Sequence, residues 1–155
     1  MTAEQNSLDM LIRHERLIEQ LYVLFAGAFP EHRAFWEGMA AEERRHAESL
    51  QGLSSTESLK KWFMTDSQFT RLAINGSIEY LERQIERIAK DDIALLEALA
   101  IANDIEEALI EKQFIRLNIA GPEEIKGVMR VLVADTQRHR KAIAEKLNIH
   151  KRETR

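Results

Sequence analysis

The 155-residue chain is 45% hydrophobic and 31% charged, with a formal net charge of −4. This is about one domain's length and enough apolar sequence for one core, so we expect a single domain over residues 1–155. The mixed charge argues against nucleic acid as a partner. The sequence has no cysteine, which excludes disulfides, iron–sulfur clusters and thiolate zinc sites. Any metal must therefore be held by oxygen and nitrogen ligands.

Nothing in the sequence indicates a membrane or an exported protein. It contains no apolar run of 18 residues, and its first ten residues, MTAEQNSLDM, lack the basic and then apolar pattern of a signal peptide. We therefore expect no membrane partner and a cytoplasmic location.

Apolar residues recur every three or four positions along most of the chain, and the sequence has only two prolines and six glycines. This pattern predicts an all-α fold. Four long helices are expected over about 8–28, 30–53, 92–117 and 122–147. A crossover with a short and a longer helical piece is expected at 54–90, and a frayed C-terminal tail at 148–155. Two short-looped hairpins joined by a long crossover are the parts of a four-helix bundle that runs up, down, down, up.

Polar side chains interrupt the apolar stripes of these predicted helices. In the second helix Glu43 and His46 take two of the six stripe positions, and Glu15 interrupts the first helix in the same way. On the last helix Asp135 and His139 share the apolar side. We expect these side chains to point inward.

The carboxylates fall at one height in the predicted bundle. Glu15 lies 14 residues before residue 29 and Glu43 14 residues after it, or ~21 Å from the first turn in both cases. Glu106 and Asp135 lie at matching distances from the second turn, near residue 120 or 121. Glu106 is preferred to Glu107 because the apolar side of its helix points closer to it.

Four buried carboxylates need a cationic partner, because each would otherwise cost several kcal/mol. No lysine or arginine lies on these stripes near that height. Two divalent ions would neutralise the carboxylates, with the imidazoles of His46 and His139 as end ligands. The sequence therefore predicts a dinuclear metal site.

Three segments that carry these residues resemble the ferritin-like superfamily, and its rubrerythrin branch more than the iron-storing ferritins. They are Glu15 with Tyr22 and the following Phe25–Ala26, the block AEERRH with Glu43 and His46, and ALAIANDIEEALIEKQF with Glu106. The similarity covers most of the chain. The fourth helix departs from it, since that family's second Glu-x-x-His needs a carboxylate at position 136, where this chain has Thr136 after Asp135.

The resemblance implies a non-haem di-iron oxidoreductase that reacts ferrous iron with peroxide or dioxygen. The implied roles are terminal ligands for Glu15 and His46, bridging ligands for Glu43 and Glu106, and weaker partners for Asp135 and His139. Tyr22 is the candidate catalytic residue, as a hydrogen-bond donor to a ligand of the site. The sequence also lacks the cysteine-rich rubredoxin extension of many rubrerythrins, so a separate electron-donor protein is expected.

Other interpretations stay open. The altered fourth helix would suit a protein that holds one ion without redox turnover, with zinc or manganese as alternatives to iron. Iron storage is a third role, and it would require a closed shell. We expect a homodimer, and Trp62–Phe63 in the crossover would pack on its own bundle or on a second subunit. His14, His32 and His150 are expected at the surface.

Overall fold

The computed structural model describes residues 7–64, 68–108 and 122–153. All regular structure in these ranges is helical, which confirms the all-α class. The helices are α1 (Ser7–Ala28), α2 (Arg33–Leu53), α3 (Glu57–Met64), α4 (Gln68–Lys90), α5 (Leu95–Glu107) and α6 (Glu123–Glu153), with a 3-10 turn at Pro30–His32. Within the described ranges, we find no helix with the length and apolar character needed to cross a bilayer.

Most helix boundaries follow the predicted ones, but the last helix is longer. It continues past Leu147 to Glu153, so the predicted end of this helix near Leu147 is wrong. The segment has no glycine or proline to end the helix, and its last turn carries His150, Lys151 and Arg152. Cations at this end of a helix stabilise it through the helix dipole. The part of the third predicted helix beyond Ala108 lies outside the described residues.

Helix α1 packs along both α2 and α4, α5 packs along α6, and α2 contacts α6. The short helix α3 contacts α1, and its Trp62 packs against the chain's own hydrophobic core. Of the two positions expected for Trp62, the one on its own bundle is therefore observed. The side chain of Phe63 lies outside the described residues.

In the part of the chain that the structure describes, buried hydrophobic side chains form two separate clusters. The Leu8 cluster consists of Leu8, Met10, Leu11, Leu50, Leu53, Leu59, Ile74, Ile78, Ile125, Met129 and Leu132. The Phe25 cluster consists of Ile18, Leu21, Tyr22, Phe25, Ala26, Trp36, Met39, Ala40, Leu81, Ala98, Leu99, Ile101, Ala102, Ile105 and Ile143. Where α1, α2 and α6 pass from one cluster to the other, their buried residues are polar apart from Ala47.

The crossover helix α4 covers a face of α1 that carries His14. This side chain is 1% exposed, and its Nε2 atom lies 2.8 Å from the Ser77 hydroxyl oxygen of α4. The prediction of a surface position for His14 is therefore wrong. It was based on α1 alone, whereas the packing of α4 on α1 buries this side chain. Burial outweighs the nearby Glu15 carboxylate and lowers the pKa of His14 to about 4, so the imidazole is neutral.

Candidate metal centre

Five buried side chains from four helices meet between the two hydrophobic clusters. They are Glu15 of α1, Glu43 and His46 of α2, Glu106 of α5 and His139 of α6, each no more than 3% exposed. The ligand atoms form two groups, Glu15 with Glu43 and His46, and Glu43 with Glu106 and His139, and within a group these atoms lie within 4.8 Å of one another. Because Glu43 belongs to both, its carboxylate joins the two groups.

Each imidazole turns its Nδ1 atom toward the carboxylates. Nδ1 of His46 lies 3.2 Å from Oε2 of Glu43 and 3.9 Å from Oε2 of Glu15. Nδ1 of His139 lies 3.2 Å from Oε1 of Glu43 and 3.6 Å from Oε1 of Glu106. The two oxygens of Glu43 therefore face one imidazole each. The rings are stacked, with their centroids 6.0 Å apart.

The Nε2 atom of each histidine contacts a further acid, which belongs to the helix that faces the histidine's own helix. Nε2 of His46 lies 2.9 Å from Oδ2 of Asp135 on α6. In the same way, Nε2 of His139 contacts the carboxylate of Glu42 on α2. Each of the two helices thus provides an acid that contacts Nε2 of the histidine on the other helix. These contacts fix the orientation of both rings.

Arg138 connects these two outer acids at the protein surface. Its guanidinium lies 3.0 Å from Oδ1 of Asp135 and also contacts Glu42. Against the effect of partial burial, the contacts with histidine and arginine hold the pKa of both acids below the usual range. Asp135 therefore stays ionised, and the structure places it behind His46 rather than in either ligand group.

Glu42 is not among the site residues predicted from the sequence, although the sequence carries a signal for it. Each histidine is preceded by an acid four positions earlier and by an arginine one position earlier, in EERRH at 42–46 and DTQRH at 135–139. In this alignment Thr136 takes the place of Glu43. Thr136 is buried, so the chain has a small polar side chain where a second Glu-x-x-His would have its carboxylate.

Tyr22 approaches the centre from the Phe25 cluster. Its hydroxyl donates a hydrogen bond of 2.6 Å to Oε1 of Glu106, and its ring packs 5.5 Å from that of Trp36. Burial and the Glu106 carboxylate raise the pKa of Tyr22 well above the usual 10, so the phenol keeps its proton. The neighbouring Glu107 is half exposed and lies 3.8 Å from Arg140 on the outside.

Without an ion, protons neutralise the carboxylates. Burial and the Glu43 carboxylate raise the pKa of Glu15 to about 8. Burial alone would lower the pKa of both histidines, but the neighbouring carboxylates raise it to about 11 for His46 and about 10 for His139. Three protons are therefore held in a buried cluster at neutral pH.

Two atoms of the cluster indicate that these residues fit a metal. Oε2 of Glu15 and Nδ1 of His139 are buried and, among the residues that the structure describes, make no hydrogen bond of suitable geometry, although each lies within 4 Å of an oppositely charged group. Both are atoms that bind cations, and three carboxylates with two imidazoles are a donor set for first-row divalent ions. The arrangement could therefore exchange its protons for metal.

Comparisons of the chain with protein-family models, with curated proteins and with solved structures found no match. The case for a metal centre therefore rests on the chain's own residues.

Proposed function

We propose that this chain is a rubrerythrin-like protein with a ferritin-like four-helix bundle, and that it is a non-haem di-iron oxidoreductase. The reaction would be reduction of peroxide or oxidation of ferrous iron. The observation that carries the proposal is the position of Glu43, whose carboxylate is shared by two Glu/His groups. A carboxylate between two sets of ligands is suited to bridge two ions.

The order in which the helices cross between the two clusters supports the bundle topology. Helix α1 runs from the Leu8 cluster to the Phe25 cluster, and α2 runs back. Helix α5 starts in the Phe25 cluster and reaches the polar layer at Glu106, so it follows the direction of α2. Helix α6 passes from Ile125 in the Leu8 cluster to Ile143 in the Phe25 cluster. This sequence of directions is up, down, down, up.

In the proposed centre Glu15 and His46 would hold one ion, Glu106 and His139 would hold the other, and Glu43 would be shared by both. The geometry favours a terminal position for Glu106 over the bridging one that the resemblance implies, because Glu106 belongs to only one of the two groups, whereas Glu43 belongs to both. Two ferrous ions bound there would supply the two electrons that, together with two protons, convert hydrogen peroxide into two water molecules.

The surrounding residues would prepare this site for metal. Tyr22 donates a hydrogen bond to Glu106 and so fixes that carboxylate. Asp135 and Glu42 accept hydrogen bonds from Nε2 of the two histidines, which leaves Nδ1 of each ring as the metal-binding atom. The two hydrophobic clusters exclude bulk water from the layer between them.

A second candidate function is a protein that holds a single ion without redox turnover. Thr136 favours it, because the described residues of the cluster include three buried carboxylates rather than the four that would neutralise two divalent ions. In that case one Glu/His group would bind metal tightly and the other would remain protonated.

Metal stoichiometry of matched variants tests the two-ion arrangement. Glu15→Ala should remove the ion near His46, Glu106→Ala the ion near His139, and Glu43→Ala should lower occupancy of both. Glu107→Ala is the matched control, because Glu107 neighbours Glu106 in sequence and is half exposed. Unchanged metal content in the Glu43 variant would overturn the site. One ion per chain in the unsubstituted protein would favour the second candidate.

The redox activity needs its own experiment. The iron-loaded protein, supplied with a chemical reductant, should consume hydrogen peroxide in repeated turnovers, and the Glu43→Ala variant should lose this activity. Absence of turnover in protein that contains two irons per chain would contradict the oxidoreductase proposal while leaving the metal centre intact.

A further inference from the structure

An open groove runs along the outer surface between α2 and α6. Its volume is about 490 Å³, and the side chains of Phe35, Met39 and Ala142 make it mostly apolar, with Gly38 exposed in its wall. This volume lies in the range of small-molecule sites in proteins. His139 of the candidate metal centre also lines the groove, so the groove borders that centre. However, none of the interactions described for the centre involves Phe35, Gly38 or Ala142.

Cationic side chains border the apolar surface. Arg45 and Arg138 line the groove, and the Glu42 carboxylate lies between them. Arg138 contacts both Glu42 and Asp135. Arg45 lies 3.7 Å from Glu42, too far for a hydrogen bond, and its side chain is 64% exposed. The Arg45 guanidinium is therefore the group on this rim best able to take an external anion.

The groove is long as well as apolar. From Arg45 to Phe35 it follows ten residues of α2, which is ~15 Å of helix. At the Phe35 end, Nζ of Lys146 lies 4.7 Å from the centre of the phenyl ring. An extended apolar ligand could thus lie along the helix with an anionic group at the arginine end.

We propose that the α2–α6 groove binds a small amphipathic anion, an alkyl carboxylate of medium chain length. Its carboxylate pairs with the guanidinium of Arg45, and its chain lies over Gly38 toward Phe35. Carboxylate is the anion that the planar guanidinium fork binds with two parallel hydrogen bonds. The site goes beyond the proposed redox function.

The first test is calorimetric titration of the full-length, metal-loaded protein with decanoate, below the concentration at which it forms micelles. Decanol serves as the uncharged probe of the same chain length. We expect decanoate to bind and decanol to bind at least ~10-fold more weakly. Arg45→Gln should weaken decanoate binding by a similar factor without changing decanol binding, whereas Arg45→Lys should retain part of the affinity.

The second test fills the groove. A Cβ atom added at Gly38 meets no atom within 4 Å, and leucine favours helix more than glycine does. Gly38→Leu should therefore fold normally and abolish decanoate binding. Gly127→Leu is the matched control, since Gly127 is also an exposed helical glycine with open space around its Cβ position.

Several results would overturn the proposal. Decanoate that does not bind, or that binds equally well to the Arg45→Gln and Gly38→Leu variants, would place no anion in this groove. Equal binding of decanol and decanoate would remove the role of Arg45. Self-association that Gly38→Leu abolishes, measured by sedimentation, would instead assign the groove to a second copy of the chain.

Discussion

Nε2 of His46 lies 2.9 Å from Oδ2 of Asp135, across the contact between α2 and α6. Asp135 precedes Thr136, the position at which a second Glu-x-x-His would have its glutamate. Its carboxylate therefore contacts the outer nitrogen of His46 and does not point into the carboxylate cluster. An acid in this place orients the imidazole and increases its basicity as a ligand.

Asp135→Asn should weaken metal binding without removing a ligand. We expect affinity to fall by about 10- to 100-fold, as for other residues that orient a metal-bound histidine, with the same stoichiometry at saturation. Competition against a coloured chelator measures the affinity. Glu145→Gln, an exposed acid on the same helix, should leave it unchanged. A lower stoichiometry in the Asp135 variant would mean that Asp135 is itself a ligand.

Thr136→Glu should strengthen binding of the ion near His139. The substitution creates a second Glu-x-x-His and adds a fourth carboxylate to the three that are buried. We expect the weaker of two metal-binding steps to tighten by about tenfold or more, because an added charge in a buried site is poorly screened. Thr136→Gln is the control, because glutamine has nearly the same shape as glutamate but carries no charge. If both variants bind alike, charge at position 136 does not limit metal binding.

The metal-free protein should lose stability as pH rises above neutrality. In the folded state the pKa values of Glu15, His46 and His139 are about 8, 11 and 10, each raised from 4.5, 6.5 and 6.5. The folded chain thus holds more protons than the unfolded chain between pH 7 and about 10, so the free energy of unfolding falls with pH.

Bound metal should reduce this loss, because it replaces the same protons. We therefore expect the gap in Tm between metal-loaded and chelator-treated protein to widen from pH 7 to pH 9. Glu15→Gln should make the metal-free decline shallower, since it removes one of the three raised groups. A metal-free Tm that rises over this interval would contradict the assignment of protons to the cluster.

Ser77→Ala should destabilise the fold by about 1–3 kcal/mol, because it leaves the buried Nε2 of His14 without the Ser77 hydroxyl. Urea unfolding measures this change. The exposed Ser49 of α2 provides the control, and Ser49→Ala should change stability by less than about 0.5 kcal/mol. Equal effects of the two substitutions would show that the contact between α4 and α1 does not depend on this pair.

The sequence alone predicted the inward direction of Glu15, Glu43, His46, Glu106 and His139, and all five side chains are buried. Prediction succeeded here because helical periodicity is local. Once a segment is helical, residues three and four apart share a face, and the apolar residues on that face identify the side that becomes buried. Equal rise per residue then places side chains on different helices at one height.

The contacts that surround these five side chains could be determined only from the tertiary structure. Glu42 and Asp135 reach the outer nitrogens of histidines on the facing helix, and His14 is covered by α4. The physical reason is that these contacts depend on which helix packs against which face and on side-chain rotamers. Such choices are made between elements far apart in the chain, and the periodicity of one helix carries no information about them.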